Sequence, residues 1–253
     1  MFSENMPYLC SLPLIPLRAE PSDKSEMISQ LLFGECFHIL EQDKNWFRIQ
    51  SDIDNYTGWC QLKKEMPVSN NLNTLIPATE SPLTTLSDAD NSLMMHIPAG
   101  SFLNPGLIQS ESLILPKDIS SSRNIRNLFD ASFAQQFLNS PYLWGGKTIL
   151  GIDCSGLTQI VMRIHGYDIQ RDASQQVMQG NLVDFVEEAL PGDLAFFGND
   201  EGQIIHTGIL LNSKQIIHAS GFVRIDAIDQ NGIYNKAENK YTHNLRTIKR
   251  IIH

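Results

Sequence analysis

The sequence has few charged residues and no long apolar run, and each shortage excludes a class of protein. Charged side chains make up 19% of the 253 residues, against 42% hydrophobic ones, which favours folded domains over a disordered chain. Cations are the scarcer charge, with 19 Lys and Arg against 28 Asp and Glu. The resulting net charge of −9 disfavours a nucleic acid partner. No apolar stretch approaches the roughly 18 residues that a membrane helix needs, so no membrane partner is expected.

Cysteines are also scarce, and their spacing excludes the common scaffolds. The four are Cys10, Cys36, Cys60 and Cys154. No two of them form a CxxC motif, which disfavours a disulfide framework or a CxxC zinc site. We therefore expect reduced thiols, no metal and no other cofactor.

The first ten residues predict the compartment. They contain Glu4 but no lysine or arginine, and prolines interrupt the mildly apolar run that follows. A secretory signal has a basic start, an apolar core and a small-residue cleavage site, and this segment lacks them. The sequence predicts a cytoplasmic protein, with a secreted or periplasmic location as the alternative if a signal segment has been removed.

The length indicates more than one domain, and the N-terminal half is rich in short β-prone segments. In residues 7–67 these segments are separated by turn residues, as in a small barrel. They are Met27–Phe33, Cys36–Glu41, Trp46–Ile49 and Thr57–Leu62. Residues 72–120 are fragmented by prolines and predict a second, irregular β module, with Leu93–Ile97 and Ser112–Leu115 as its clearest strands.

The pattern changes near Ser121, where helical periodicity begins. Three helices are predicted: Asn124–Leu138, a second whose apolar stripe runs from Leu157 to Ile164, and Asp172–Gln179. Strands follow Pro191-Gly192, at Asp193–Phe197, Ile205–Leu211, Gln215–Ala219 and Thr247–Ile252. Helices followed by antiparallel strands indicate an α+β domain.

One cysteine occupies a position suited to a nucleophile. Asp153 directly precedes the second predicted helix and is a natural N-cap, so Cys154 lies in the first turn. Backbone N–H groups and the positive end of the helix dipole stabilise a thiolate there, which predicts a lowered thiol pKa. The alternative is a buried structural cysteine, the commoner role of a single free thiol.

Two histidines on adjacent predicted strands favour the interpretation of Cys154 as a nucleophile. Residues that face each other in an antiparallel hairpin have a constant index sum, and His206 and His218 sum to 424 if the turn is centred on Asn212. Both side chains then project from the same face, within hydrogen-bonding reach. Such a pair suits a base, His206, oriented by a third group, His218. A zinc site of Cys154 and both histidines is the alternative, disfavoured because no local ligand pair is present.

Several motifs carry a resemblance to a known family. They are Tyr142-Leu-Trp-Gly-Gly, Asp153-Cys-Ser-Gly, Arg171-Asp, Pro191-Gly-Asp-Leu-Ala-Phe-Phe, His206-Thr-Gly-Ile and Ile217-His-Ala-Ser. In order and spacing they resemble the NlpC-like cysteine peptidases, papain-like enzymes that cut bacterial cell-wall peptides. The segments Pro16–Pro21, Gln30–Glu35 and Tyr56–Trp59 resemble bacterial SH3-like barrels. The whole arrangement is similar to γ-D-glutamyl-L-diamino acid endopeptidases.

The resemblance implies an α+β fold class, with a papain-like cysteine peptidase domain preceded by one or two small SH3-like β-barrels. Residues 1–68 would form an SH3-like barrel, 69–121 a second, irregular SH3-like module, and 122–253 the peptidase domain. Cys154 is implied as the nucleophile, His206 as the base and His218 as the third, polar member. The implied substrate-binding residues are Tyr56, Glu35, Tyr142, Trp144, Asp153 and Ser155.

Four of these binding residues have a structural alternative. Trp144 could pack under the helix, Asp153 could serve only as its N-cap, and Tyr56 and Glu35 could be ordinary barrel residues.

The implied function is hydrolysis of the γ-D-glutamyl–diaminopimelate bond in wall peptides with a free N-terminal L-alanine, during murein peptide recycling by a monomer. The alternatives are a secreted hydrolase of intact wall and a non-catalytic protein that binds wall peptides.

Overall fold

The computed structural model of the protein describes residues 6–62, 78–92, 94–117, 119, 121–122 and 128–252. These residues fall into two compact units. The first holds the described residues of Met1–Arg123 together with Trp144–Ile149, and the second those of Asn124–Leu143 and Leu150–His253. Within the described ranges no helix is long and apolar enough to cross a membrane. The predicted boundary after residue 68 lies outside these ranges, and the three predicted domain ranges stay predictions.

The first unit begins with a six-stranded antiparallel sheet in the order β1-β4-β5-β6-β2-β3. Its strands are β1 (Pro7–Leu9), β2 (Leu14–Arg18), β3 (Met27–Leu32), β4 (Cys36–Asp43), β5 (Trp46–Ser51) and β6 (Thr57–Cys60). Inward-facing apolar side chains form its core: Tyr8, Cys10, Ile15, Leu17, Leu31, Phe37, Ile39, Phe47, Ile49 and Cys60. The four strands predicted in this region are confirmed, with ends that shift by at most two residues.

The remainder of the first unit is irregular, as predicted, but contains a helix that the sequence did not indicate. Its elements are β7 (Ala78–Thr79), β8 (Leu83–Ser87), β9 (Met94–Pro98), α1 (Pro105–Ser110), β10 (Ser121–Ser122) and β11 (Lys147–Thr148). Strands β8 and β9 form a hairpin, and β7 pairs with β10. Asn104 caps α1 by accepting hydrogen bonds from the N–H groups of Gly106 and Leu107.

The predicted strand at Ser112–Leu115 is wrong. The chain turns there after α1, with Ser112 at a φ of +54°, and Ile114 makes a single bridge to Ser87. A left-handed residue directly after a helix ends it and cannot continue as regular strand. Leu93, the first residue of another predicted strand, lies outside the described residues.

A buried ion pair holds the segment 144–149 to the six-stranded sheet. Lys147 Nζ lies 3.2 Å from Glu35 Oε1, and the two side chains are 3% and 1% exposed. Glu35 Oε2 also accepts a hydrogen bond from the Leu32 N–H, and the Lys147 N–H donates to Gln30 Oε1. Gly145 makes the approach possible, since a Cβ there would lie 2.4 Å from the Met27 carbonyl oxygen.

The second unit is a barrel with helices packed on it. Its elements are α2 (Ala131–Gln135), β12 (Gly151–Ile152), α3 (Cys154–Ile164), α4 (Ala173–Gln176), β13 (Asn181–Val183), a 3₁₀ turn at Val186–Glu188, β14 (Leu194–Gly198), β15 (Ile204–Asn212), β16 (Gln215–Ser220), β17 (Phe222–Asp229), β18 (Gly232–Asn235) and β19 (Lys240–Arg250). The sheet order is β13-β19-β14-β15-β16-β17-β18, and β18 also pairs with β19. That last pairing closes the strands β14–β19 on themselves.

The helices of the second unit differ in length from their predictions. Helix α3 is confirmed, and Gly166 follows it at a φ of +91° as a left-handed C-terminal residue. The first predicted helix is too long, because the Asp130 side chain accepts from the Ser132 N–H and starts α2 at Ala131. Its residues 124–127 lie outside the described ranges. The third is shorter than predicted, since α4 spans Ala173–Gln176.

The ion pair between Lys147 and Glu35 yields a stability prediction. Lys147→Ala removes a buried cation and should lower the free energy of unfolding by about 3–5 kcal/mol, the usual cost of taking away one partner of a buried pair. The double variant Lys147→Met/Glu35→Gln should recover most of that loss, because neither charge then remains buried. Urea denaturation of the three proteins measures both effects. A single-variant loss below about 1 kcal/mol would show that the pair contributes no more than a surface ion pair.

Candidate active site

Cys154 begins helix α3, as predicted, directly after its N-cap. The Asp153 side chain accepts a hydrogen bond from the Gly156 N–H at 2.6 Å, which fixes the start of the helix. The thiol is buried, and the backbone N–H groups of Ser155 and Thr207 lie close enough to it to favour its ionised form. Thr207 lies on β15, so this strand passes the thiol at the residue next to His206. The structure thereby brings the predicted nucleophile to the strand that carries the predicted base.

The predicted lowering of the thiol pKa is wrong. Burial, together with the nearby negative charge of Asp153, raises the pKa of Cys154 to about 12. The Thr207 and Ser155 N–H groups and the Arg171 charge oppose that shift without cancelling it. Desolvation therefore outweighs the helix N-terminus, and the resting thiol is protonated at neutral pH.

His206 and His218 are hydrogen-bonded to each other, but not in the predicted register. His206 Nε2 lies 2.9 Å from His218 Nδ1, and both rings are buried. Strands β15 and β16 pair as Ile209–Ile217 and Leu210–Ile216, an index sum of 426 instead of 424. The histidines are therefore diagonal neighbours. They remain on one face because a shift of two residues preserves the alternation of a strand.

Gly208 allows this diagonal contact. In the observed register it lies opposite His218, and a Cβ on Gly208 would sit 2.8 Å from His218 Cβ. The ladder between β15 and β16 ends at Ile209–Ile217, so residues 206–208 of β15 pair with β14 but not with β16. The absence of a side chain at Gly208 therefore leaves His218 its position beside His206.

Three further residues of the site were missed by the sequence analysis. Asp226 Oδ2 accepts hydrogen bonds from His218 Nε2 at 3.1 Å and from Arg224 Nε at 2.8 Å. His243 stacks on His206 with ring centroids 4.2 Å apart. Strands β17 and β19 carry these residues, and β17 was not predicted at all. Its alternation of charged and apolar residues was the available signal.

Burial keeps the imidazoles neutral. It lowers the pKa of His206 well below the ordinary value, and the neighbouring His218, His243 and Arg224 lower it further. It also lowers the pKa of His218, although the hydrogen bond and charge of Asp226 oppose this. The pKa of His243 falls to about 4, again mainly by burial. A neutral thiol beside neutral imidazoles is the resting state, so His206 is able to accept a proton.

Asp153 and Ser155 form a buried cluster with Arg171 beside the thiol. Arg171 Nη2 lies 2.6 Å from Asp153 Oδ2, and Arg171 Nη1 donates both to Asp153 Oδ1 and to the Ser155 hydroxyl at 2.8 Å. Burial raises the pKa of the Tyr142 phenol, and the nearby Cys154 and Asp153 raise it further. The structure therefore brings Tyr142, Asp153 and Ser155 to the cysteine, and Asp153 is its helix N-cap in addition to any binding role.

The other predicted binding residues belong to the first unit. Trp144 is 57% exposed, which excludes the alternative that it packs under a helix. Tyr56 precedes β6, and its N–H donates to Asp54 Oδ1. Glu35 is buried and forms an ion pair with Lys147. The substrate-binding roles of these three residues stay predictions.

Within the described ranges, no group of three or more His, Cys, Asp or Glu side chains is arranged to hold a metal ion. The zinc alternative for Cys154, His206 and His218 therefore has no support from the geometry. The prediction that the protein uses no cofactor stays a prediction.

A cysteine at a helix N-terminus, next to a strand that carries a hydrogen-bonded histidine pair in an α+β fold, defines a papain-like cysteine peptidase. Comparison with known proteins agrees with this class. Residues 139–246 match the NlpC/P60 family, and residues 17–64 match the bacterial dipeptidyl-peptidase SH3 domain. The chain thus carries an NlpC/P60 cysteine peptidase domain preceded by a bacterial SH3-like domain. The predicted family, fold class and enzyme class are confirmed, and the non-catalytic alternative falls.

Individual relatives match different shares of the chain. The chain is 27% identical to the γ-D-glutamyl-L-lysine dipeptidyl-peptidase of Bacillus subtilis, over 76% of this chain and 71% of the relative. It is 43% identical to the probable endopeptidase NlpC of Escherichia coli, over 34% of this chain and 56% of the relative. The solved structure of an NlpC/P60 family protein from Bacillus cereus covers 98% of this chain and all of its own, with a TM-score of 0.77 at 18% identity, which shows a shared fold.

The close approach of Gly208 to His218 yields a second prediction. Gly208→Ala should displace His218 from His206 and lower kcat by about 100-fold, because the base loses its orienting partner. Gly106→Ala is the matched control, because Gly106 lies in the first unit, away from the histidines, and a Cβ there meets only the Asn104 side chain, at 3.3 Å. Circular dichroism should show both variants folded. Wild-type turnover by Gly208→Ala would contradict the proposed dependence on the histidine pair.

The raised thiol pKa yields a third prediction. The rate of Cys154 alkylation by iodoacetamide should rise about tenfold per pH unit from pH 6 to 9, because only the thiolate reacts and its fraction grows with pH. Peptide mapping by mass spectrometry should separate Cys154 from Cys36, the half-buried thiol, and Cys154→Ser supplies the background rate. A rate that does not change over this range would show a preformed thiolate and contradict the neutral resting state.

Proposed function

We propose that the protein is a cysteine endopeptidase that hydrolyses the γ-D-glutamyl–diamino acid bond of cell-wall peptides with a free N-terminal L-alanine. The observation that carries the proposal is the thiol of Cys154 at the start of α3 beside the buried pair His206 and His218. The name of the B. subtilis relative, which specifies γ-D-glutamyl-L-lysine and a dipeptidyl-peptidase, supports the bond and the position in the peptide. The SH3 domain matched by residues 17–64 is also of the dipeptidyl-peptidase type.

The proposed reaction proceeds in two steps through a thioester. The Cys154 sulfur attacks the γ-carbonyl carbon of D-glutamate while its proton moves to His206. The C–N bond then breaks as His206 gives that proton to the leaving amine. In the second step water attacks the thioester, His206 takes a proton from the water, and the sulfur leaves and is reprotonated. Backbone N–H groups at the start of α3 and the Tyr142 phenol are the available donors to the oxyanion.

A free N-terminal ammonium is the proposed selection feature, because released wall peptides carry it and intact wall peptides do not. Asp153 is a carboxylate at the site, and Arg171 already supplies it with one cation. The proposed selection for the free amine has two parts: attraction of the ammonium by the Asp153 carboxylate and steric exclusion of any group attached to the amine. Tyr56, Glu35, Trp144 and Ser155 remain the proposed further substrate contacts.

The proposed role is the recycling of murein peptides in the cytoplasm by a monomer. A secreted or periplasmic enzyme that acts on intact wall is the alternative. Fractionation of the producing cells and gel filtration of the purified protein test the compartment and the oligomeric state.

The substrate proposal is tested with L-Ala-γ-D-Glu-diaminopimelate, its N-acetylated form and intact sacculi. The free peptide should be cut between D-glutamate and diaminopimelate, and Cys154→Ser should abolish the cut while the protein stays folded. N-acetylation should lower kcat/KM by at least about 100-fold, roughly 2.7 kcal/mol, because the ammonium is lost and the amine carries a new group. Mass spectrometry of the products measures each rate. Equal cleavage of both peptides, or faster release from sacculi, would favour the intact-wall hydrolase.

A further inference from the structure

A charged pair on β17 touches the histidine dyad and has no part in the reaction described so far. Asp226 and Arg224 are joined at 2.8 Å, and their side chains are 14% and 20% exposed. In the register of β16 and β17, His218 faces Arg224 and Ile216 faces Asp226, so Asp226 reaches His218 diagonally. The contact joins a largely buried carboxylate to the ring of a fully buried histidine.

This contact determines where the proton of His218 resides. An ionised carboxylate can only accept hydrogen bonds, so His218 Nε2 must carry the hydrogen that Asp226 Oδ2 receives. Neutral His218 has one ring hydrogen, which leaves Nδ1 bare. His218 Nδ1 must then accept from His206 Nε2, 2.9 Å away. His206 in turn carries its single hydrogen on Nε2, and its Nδ1 keeps a free lone pair.

We propose that Asp226 is a positioning residue that sets the tautomers of His218 and His206 and so makes His206 Nδ1 the basic nitrogen of the enzyme. Without an acceptor-only partner on His218 Nε2, the opposite tautomers satisfy the same hydrogen bond between the rings. His206 would then carry its hydrogen on Nδ1 and could not take the thiol proton. Asp226 selects the productive arrangement of the two.

Charged and titratable groups surround the dyad on several sides. Asp226 and Arg224 face it from β17, His243 stacks on His206 from β19, and Cys154 approaches from α3. Burial opposes ionisation of Asp226, but its hydrogen bonds and the Arg224 charge lower its pKa below the ordinary value. Arg224 thus keeps Asp226 an acceptor, while its own charge lowers the pKa of both dyad histidines.

The dyad also has to carry a positive charge for part of the reaction. When the thiol proton moves to His206 Nδ1, the His206 ring becomes an imidazolium with hydrogens on both nitrogens. Asp226, two hydrogen bonds away, is the anion that stabilises this charge, and no proton passes to it. Removal of Asp226 should therefore slow turnover more than it weakens substrate binding.

Nitrogen-15 NMR of the histidine side chains tests the tautomers without any substrate. In the Cys154→Ala protein, His218 and His206 should both show protonated Nε2 and bare Nδ1. The same spectrum of Cys154→Ala/Asp226→Asn should show His206 shifted towards the Nδ1–H form, because an asparagine amide can donate to His218 Nε2. A His218 that carries its hydrogen on Nδ1 in the Cys154→Ala protein would overturn the proposal, whether or not the proposed substrate is correct.

Kinetics on L-Ala-γ-D-Glu-diaminopimelate supply the second test, which rests on the proposed function. Asp226→Asn should lower kcat by about 100-fold or more with little change in KM, since the base loses its orientation and its counter-charge. Asp229→Asn is the matched control. It removes a carboxylate of the same strand that bonds Tyr241 and Asn231 instead of a histidine, and it should retain wild-type kcat.

The pH profile of kcat/KM separates this role from a structural one. Protonation of the dyad ends activity at low pH, and Asp226 raises the pKa of His218 whereas Arg224 lowers it. Asp226→Asn should move the acid limb to lower pH, and Arg224→Gln should move it to higher pH. Shifts in the same direction, or an Asp226→Asn enzyme with wild-type kcat, would overturn the proposal. If the peptide is not cut by the wild type, the substrate is wrong and the NMR result still decides the tautomers.

Discussion

The hydrogen bond between His206 Nε2 and His218 Nδ1 is the contact on which the rest of the site depends. It is made just beyond the end of one ladder, because β15 and β16 are paired only from Ile209–Ile217 to the turn. It also requires a residue without a side chain opposite His218, which Gly208 supplies. Both rings are buried, so water is not available to replace the bond if the geometry fails. The backbone of the barrel end therefore defines which imidazole nitrogens can meet.

Asp153 connects the helix, the thiol and the cation of the site. One carboxylate caps α3 through the Gly156 N–H and holds Arg171 at two oxygens, so the start of the helix and the guanidinium are fixed together. The same negative charge raises the pKa of Cys154, against the helix dipole. Precise placement of the sulfur is thus obtained with a less acidic thiol. A site of this kind needs a competent base more than it needs a preformed thiolate.

The sequence predicts the elements that follow local rules and misses those that tertiary contacts decide. The N-cap at Asp153, helix α3 and four of the six strands of the first sheet follow from capping and alternation. The register of β15 and β16 depends on a two-residue turn and a bulge, which the residues 211–215 do not announce. The two histidines were nevertheless placed on the correct common face of the sheet, since the predicted register was wrong by an even number of residues. Asp226 was missed because β17, which pairs with β16, was not predicted, and His243 because it reaches His206 through the pairing of the distant β19 with β14.

Because of burial, the reacting groups of the site carry no charge at rest. Their charges form only during the reaction and have to be stabilised then. A protonated thiol and neutral imidazoles are the forms of lowest free energy in a desolvated pocket. Attack on a carbonyl then creates an imidazolium where no water can solvate it, so its stabilisation must come from fixed groups. Within the described ranges Asp226 is the anion bonded to the dyad, and Arg224 shares the same carboxylate oxygen. Without Arg224, Asp226 would raise the pKa of His218 further and favour a dyad that is already protonated and cannot take the thiol proton. Because Arg224 shares its carboxylate, Asp226 orients neutral histidines at rest and still stabilises the positive charge as that charge forms.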